Sequence, residues 1–179
     1  MSRSEWIYRV AEEGHAWRIV SGTVRLDCPN ASGNGFGGLA IPGDIIGAET
    51  LMFARYSFAA YALVPCILAP WPEGCETPAS ESLLKTLLRT EQRTAETLAL
   101  RHGSSIDRVR RLLRLLASPA KHLAGATVSL PALRDTAEIT CLTMETISRA
   151  MAKLRQQGEI DRLKRDVVLL CPTAGQGVA

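Results

Sequence analysis

The sequence predicts an α+β chain: a strand-rich first part, a long helix, and a helical last part that closes on a β-hairpin. Three observations predict it. Short apolar runs punctuated by Gly and Pro reach to about residue 75. From Ser80 the apolar spacing changes to three-, four- and seven-residue steps. From Leu130 two short helical patterns precede two β-branched runs separated by a charged turn.

In the first part, His15 to Leu26 alternates and is broken by Ser21-Gly22. Asn30 to Gly38 carries Gly33, Gly35, Gly37 and Gly38 and reads as a mobile hairpin tip. Ile41-Pro42-Gly43-Asp44 reads as a strand end and a tight turn, because Pro fixes φ and Gly permits a positive one. Phe58 to Leu68 is apolar enough for one buried strand. Many short strands with this punctuation imply a small β-roll or barrel.

The long helix is expected over residues 80–102. Leu83, Leu84, Leu87, Leu88, Ala95 and Leu98 form an apolar stripe, with Lys85, Arg89, Glu91, Arg93 and Glu96 as solvated neighbours. Such a stripe suits either a partner copy or a core within the same domain. His102-Gly103-Ser104-Ser105 ends it, and Ser104 or Ser105 can N-cap a helix from Ile106 to Ala117. There Ile106, Val109, Leu113 and Leu116 share a face, and Ser118-Pro119 stops the helix.

The last part carries the chemistry. Pro131 suits a first helical turn, so a helix is expected from Pro131 to Ile139, with Cys141-Leu142 in the turn after it. Thr143 is the expected N-cap of a second helix running to Gln157, with Gly158 as its stop. On that helix Ile147, Met151 and Leu154 fall on one face, and Glu145, Ser148 and Arg149 on another. An acceptor, a small hydroxyl and a bidentate donor near a helix N-terminus can read base edges: Arg pairs with guanine O6 and N7, and Glu accepts from cytosine N4. A surface Glu–Arg pair on an ordinary helix shows the same residues, so the triplet alone leaves both readings open. Ile160 to Leu163, a turn at Lys164-Arg165-Asp166 and Val167 to Leu170 then form a hairpin with a basic tip, a wing able to touch phosphates. Helix, turn, helix and wing in this order favour nucleic acid.

Composition bounds the function classes. The 179 residues are 46% hydrophobic and 22% charged, with a formal net charge of +3, which suits a globular chain and says little about partners. Distribution says more, since Arg101 to Arg114 holds five arginines and Arg149 to Arg165 six Lys or Arg. No apolar run approaches the ~18 residues of a membrane span and no secretory core opens the chain, so no membrane role and a cytoplasmic location are expected. The five cysteines (Cys28, Cys66, Cys75, Cys141 and Cys171) have no C-x-x-C pair, which argues against a zinc finger. No phosphate loop, paired carboxylates or Ser-His-Asp spacing supports an enzyme.

With these residues in view, the chain resembles the cAMP receptor protein/FNR (Crp/Fnr) superfamily of bacterial transcription regulators. Leu142 to Arg149, followed by Leu154-Arg155-Gln156-Gln157-Gly158, resembles its FNR-type recognition helix, E-x-x-S-R. Val20 to Leu26 resembles its "SGxVRL" segment, and Ile41 to Glu49 its "PGDxxGxE" turn. Arg108-Val109 with Leu112-Leu113 resembles the helix that begins its DNA-binding domain. The resemblance implies a cyclic-nucleotide-binding-like β-roll over residues 1–79, a dimerisation helix over 80–102 and a winged helix-turn-helix over 103–179. It implies base contacts from Glu145, Ser148 and Arg149 to a TTGAT-like half-site, with Met144 at a variable position and Lys153 within reach of phosphate. Thr143, Lys164 and Arg165 complete the expected DNA-binding set. A homodimer on a palindromic operator, with double-stranded DNA and RNA polymerase as partners, follows from the same likeness.

The sequence also departs from the family pattern. Its N-terminus is short, which implies an incomplete β-roll, and the family's N-terminal iron–sulfur cysteines have no counterpart. The nucleotide cassette needs an Arg-Ser pair, whereas here Arg55 is off register in Arg55-Tyr56-Ser57-Phe58-Ala59-Ala60. Glu49 alone cannot hold ribose and phosphate, so no cAMP response and no cofactor are expected. The first helix of the motif is one residue short around Ala132-Leu133. Cys66 and Cys75 bracket Pro70-Trp71-Pro72 and are the candidate redox thiols; His15, His102 and His122 are the weaker candidates for haem. The competing reading is a redox or small-molecule sensing module that acts through protein partners with a degenerate helix-turn-helix.

Overall fold

A computed structural model describes residues 1–30, 33–71, 79–117, 125–164 and 166–171. The chain runs β1 (Trp6–Tyr8), β2 (Ala16–Ser21), β3 (Val24–Asn30), β4 (Gly33–Ala40), β5 (Ile45–Ile46), α1 (Thr50–Phe53), β6 (Ala59–Ala62), β7 (Ile67–Trp71), α2 (Ala79–Ala99), α3 (Ser105–Ala117), β8 (Thr127–Ser129), α4 (Leu133–Thr140), α5 (Met144–Gln156), β9 (Ile160–Lys164) and β10 (Val167–Leu170). It forms two compact units, Met1–Thr97 and Leu98–Ala179.

The first unit is a β-roll of two antiparallel sheets, ordered β1-β6-β3-β4 and β5-β2-β7. Alternation explains which side chains meet between them. Val24, Ala40, Ala60 and Ala62 share a core with Ile19, Ile46, Tyr8 and Tyr56. On the other face of β3, Arg25 and Asp27 form a buried ion pair at 2.6 Å.

Four expectations are corrected here. The glycines read as a mobile tip lie in β4, paired with β3 from Asn30↔Gly33 to Val24↔Ala40; glycine weakens a strand but does not forbid it when a partner ladder is present. Phe58 to Leu68 is two strands, not one: β6 and β7 belong to different sheets, and Pro65 lies in the crossing between them. The opening residues, where the roll was expected to be deficient, supply a paired edge strand with Trp6 opposite Tyr61. α2 ends at Ala99 rather than at residue 102, and Arg101 N–H turns back to the Leu98 carbonyl.

Ile41-Pro42-Gly43-Asp44 forms the expected turn. Asp44 N–H donates to the Ile41 carbonyl at 3.0 Å, the Asp44 carboxylate accepts from Ile41 N–H at 3.0 Å, and Gly43 has φ +94°. α2 is held to this turn on one side only. Arg93 reaches Asp44 at 2.8 Å and Arg89 the Gly43 carbonyl at 3.0 Å. At about 100° per residue, Leu84, Leu87, Leu88, Ala95 and Leu98 fall on the opposite side. The four leucines there are 56–58% exposed.

The second unit packs α3, α4 and α5 with the sheet β8-β10-β9. Val109, Leu113, Val128, Ile147, Ala150, Leu154, Ile160 and Val168 are its core. Ser104 is the cap that α3 selects, accepting from Asp107 N–H at 3.2 Å. α4 begins at Leu133, after an extended Ala132 (ψ 150°), so Pro131 precedes the helix instead of sitting in its first turn.

Candidate nucleic-acid interface

The helix pair is built by its caps and its core. α4 ends on Cys141 in the left-handed region (φ 53°, ψ 47°), whose N–H closes on the Ala137 and Glu138 carbonyls. Leu142 N–H bonds the Ala137 carbonyl at 3.0 Å. Thr143 then caps α5: its hydroxyl oxygen accepts from Thr146 N–H at 3.2 Å, and the two threonine hydroxyls lie 2.9 Å apart. The structure thus uses the Thr143 side chain to start the helix. Ile147, Ala150 and Leu154 are buried beneath it, while Met151 of the expected core face is half-buried.

The opposite face of α5 is open to solvent. Glu145 and Arg149 side chains are 73% and 76% exposed and pair with each other one turn apart. Ser148 is exposed, with its hydroxyl donating to the Met144 carbonyl at 3.0 Å. Met144 and Lys153 are exposed on the same side. The ion pair and the base-reading arrangement are therefore one geometry: an exposed, salt-screened pair holds both side chains outward at little cost to break. Glu145 also stands in the first helical turn, where a carboxylate is favoured by the helix dipole.

The wing is the β9–β10 hairpin. Lys164 is exposed at its end, and Arg162 Nε donates to the Lys164 carbonyl at 3.2 Å; Arg165 lies outside the described residues. The start of the wing is fixed by a two-pronged contact that the sequence reading missed. Arg110 of α3 donates from Nε and Nη2 to the two Glu159 oxygens, each at 2.7 Å, and from Nη1 to Asp107 at 2.6 Å. The Arg110 hydrogen bonds hold the Glu159 carboxyl below the usual range, and the Ser104 hydroxyl does the same for Asp107. Sequence spacing could flag Arg110 only as a polar helix position, because Glu159 is 49 residues away.

The first unit turns its distinctive side chains inward. Tyr8 and Tyr56 stack with ring centroids 3.6 Å apart and planes 6° apart. The Tyr56 hydroxyl donates to the His15 carbonyl at 2.8 Å and accepts from His15 N–H at 3.1 Å. A Cβ on Gly47 (φ +70°) would stand 2.6 Å from the Tyr56 ring, so only glycine makes room there. Burial pushes the Tyr8 hydroxyl well above the usual tyrosine range, so it stays neutral. Glu49 accepts from Ser57 N–H at 3.0 Å, and Arg55 points out to Glu13 at 3.1 Å. The cassette region therefore offers a tyrosine stack where the family pattern has an Arg-Ser pair.

Cys66 is buried, with Sγ 3.0 Å from the Val64 carbonyl and 3.4 Å from that of Thr23. Burial pushes this thiol up, away from the reactive thiolate. Its suggested partner Cys75 lies outside the described residues, as does His122. His15 rests 4.2 Å from the Trp17 ring and His102 is exposed. Among the described residues no cluster of three or more His, Cys, Asp or Glu could hold a metal ion. No described helix is long and apolar enough to cross a membrane.

Neither a family model nor a curated protein sequence matches this chain. Solved structures do. TTHB099, a CRP-family transcriptional regulator from Thermus thermophilus, is 28% identical over 97% of this chain and 92% of its own, with a TM-score of 0.75. The chain belongs to the Crp/Fnr superfamily. FixK2 from Bradyrhizobium japonicum shares the fold at 23% identity, over 96% of this chain and 90% of its own, with a TM-score of 0.74. TTHA1359, a CRP/FNR-family transcriptional regulator also from Thermus thermophilus, does so at 20% identity, over 98% and 93%, with a TM-score of 0.68. In Crp/Fnr terms the first unit is the cyclic-nucleotide-binding-like roll, and the second carries the helix-turn-helix.

Proposed function

We propose that the protein is a sequence-specific DNA-binding transcription regulator that reads a palindromic TTGAT-like operator as a homodimer. The observation that carries this is the capped, solvent-facing start of α5, with Glu145, Ser148 and Arg149 outward and Ile147 and Leu154 anchored in the core. Glu145, Ser148 and Arg149 read bases, Met144 adjusts one of them, and Lys153, Lys164 and Arg165 meet phosphate. The exposed leucine stripe of α2 supports the dimer, since a two-fold pair would bury it along a coiled-coil-like seam. In this reading residues 1–79 are the effector roll, 80–102 the dimerisation helix and 103–179 the DNA-binding domain. RNA polymerase is the further partner, the protein works in the cytoplasm and it has no catalytic activity. The Tyr8–Tyr56 stack supports a roll that does not respond to cAMP.

The test is mobility shift on a TTGAT-N4-ATCAA duplex against a scrambled one. Arg149→Ala should lose about 1–3 kcal/mol on the operator and relax the preference at the contacted pair. Equal binding of both duplexes by native protein and variant removes the proposed readout.

A further inference from the structure

Three arginines of the second unit make no contact with the proposed base-reading face, yet they converge on backbone carbonyls around one corner. Arg111 Nη1 donates to the Ala99 and His102 carbonyls, each at 2.8 Å. Those carbonyls end α2 and are orphaned by the helix stop. Arg108 Nε donates to the Gly103 carbonyl at 3.0 Å, in the turn between α2 and α3. The other arm of Arg108, Nη1, reaches the Thr140 and Cys141 carbonyls at 3.3 and 3.5 Å, at the end of α4. Arg101 Nη2 approaches the Glu138 carbonyl at 3.5 Å from the same corner. Thr143, the cap of α5, follows Cys141 by two residues.

We infer that Arg108, backed by Arg111, is a positioning residue that clamps the end of the dimerisation helix to the helix-turn-helix and thereby sets which operator spacing the dimer accepts. The physical argument is one of stiffness. The corner turns on Gly103 (φ +92°), the residue type with the freest backbone. Without a brace, the direction of α5 relative to the last turn of α2 would vary. A planar guanidinium that donates to both sides at once removes that freedom, which a flexible ammonium with one compact charge cannot do. In a two-fold dimer joined through α2, the angle at this corner fixes the separation of the two recognition helices. One base pair of extra spacer moves a half-site by about 3.4 Å and rotates it by about 35°. A rigid corner rejects that change, and a loose corner follows it. Arg108 acts here through carbonyls, so it should add sequence-independent geometry and no phosphate attraction.

The inference rests on the reading of the chain as a dimeric DNA binder, and the experiment separates the two. Full-length native protein, Arg108→Ala, Arg108→Lys and Arg111→Met are titrated against TTGAT duplexes with spacers of three, four and five base pairs, and against a single half-site. Native protein should prefer one spacer by about tenfold or more, the scale of one mismatched base pair. Arg108→Ala and Arg111→Met should keep half-site binding and lose most of that preference. Arg108→Lys should fall between, because it keeps charge and loses the second arm. The slope of log affinity against log salt should be unchanged in Arg108→Ala; a slope smaller by about one makes Arg108 a phosphate contact and overturns the clamp. Variants that bind every duplex more weakly in equal proportion, with the spacer preference intact and a lower Tm, reduce Arg108 to a helix cap and also overturn it. If native protein binds the half-site but shows no spacer preference, the clamp fails and the DNA reading stands. If native protein binds none of the duplexes, the DNA reading itself fails and the clamp with it.

Discussion

The two units handle polar chemistry in opposite ways. In the second unit the charged and hydroxyl groups of α5 face water, and the aliphatic side chains beneath them do the anchoring. In the first unit the distinctive polar groups are withdrawn: Tyr8 and Tyr56 are stacked in the core, and Arg25 and Asp27 neutralise each other out of solvent. Exposed polar groups keep their bonds available for another molecule. Buried ones must be satisfied inside the fold, because an unpaired buried donor or acceptor costs about 1–3 kcal/mol. The comparison teaches that a surface made to read something is marked by what it leaves unsatisfied, while the roll is marked by how completely it fills itself.

The largest expected effect strikes the filled side. Tyr56→Ala removes the stacked ring, both His15 contacts and the group that Gly47 is shaped to admit. A loss of about 3–5 kcal/mol is expected, the usual range for a large buried aromatic cut to alanine. Thermal unfolding followed by tryptophan fluorescence should show it, since Trp6, Trp17 and Trp71 all lie in the first unit. An unchanged transition would mean the stack fills no essential space, and the contrast between the units would collapse.

The next effect is smaller and belongs to the reading side. Thr143→Ala removes the N-cap of α5 and should destabilise the second unit by about 1 kcal/mol. Binding should weaken by the same factor on operator and scrambled duplexes, because the cap holds the helix and reads nothing. If Thr143→Ala changes base preference instead, Thr143 is itself a reader and the division between anchoring and reading side chains on α5 needs redrawing.

These two positions also show where sequence was informative. The second unit was legible because its signals are local: Thr143 caps Thr146 three residues away, and Glu145, Ser148 and Arg149 share a face by helical period alone. The long helix was legible from its stripe for the same reason. The roll was legible as a class and not in detail. Which strands join which sheet depends on crossings such as Leu63 to Cys66, and a run of apolar residues does not announce that it changes sheets. The glycines of β4 misled because turn preference is local, whereas the β3 ladder that recruits them is not. Long-range clamps were invisible for that reason too: Arg110 meets Glu159 across 49 residues, and Arg108 meets Thr140 across 32.

The Arg110–Glu159 contact gives the smallest effect and the finest test of the contrast, because it is a charged pair that anchors rather than reads. Glu159 is held below its usual range chiefly by the two Arg110 hydrogen bonds. In the unfolded chain it titrates near the ordinary glutamate value of about 4.3. Between that value and the lower folded one, the unfolded state binds the proton more readily, so stability rises with pH there. The contribution is complete above the unfolded value and disappears as pH falls through the folded one. Asp107, depressed by the Ser104 hydroxyl, adds to the same slope. The Tm of the second unit, followed by far-UV circular dichroism from pH 6 downward, should therefore fall as the carboxylates protonate. Glu159→Gln should flatten that fall and leave the neutral-pH operator preference in place. The Glu145–Arg149 pair behaves differently: it is exposed, and Glu145→Gln should leave the acid slope as it was while changing base preference. Two Glu–Arg pairs in one unit, one titrating with stability and the other with specificity, would separate anchoring from reading at the level of single carboxylates.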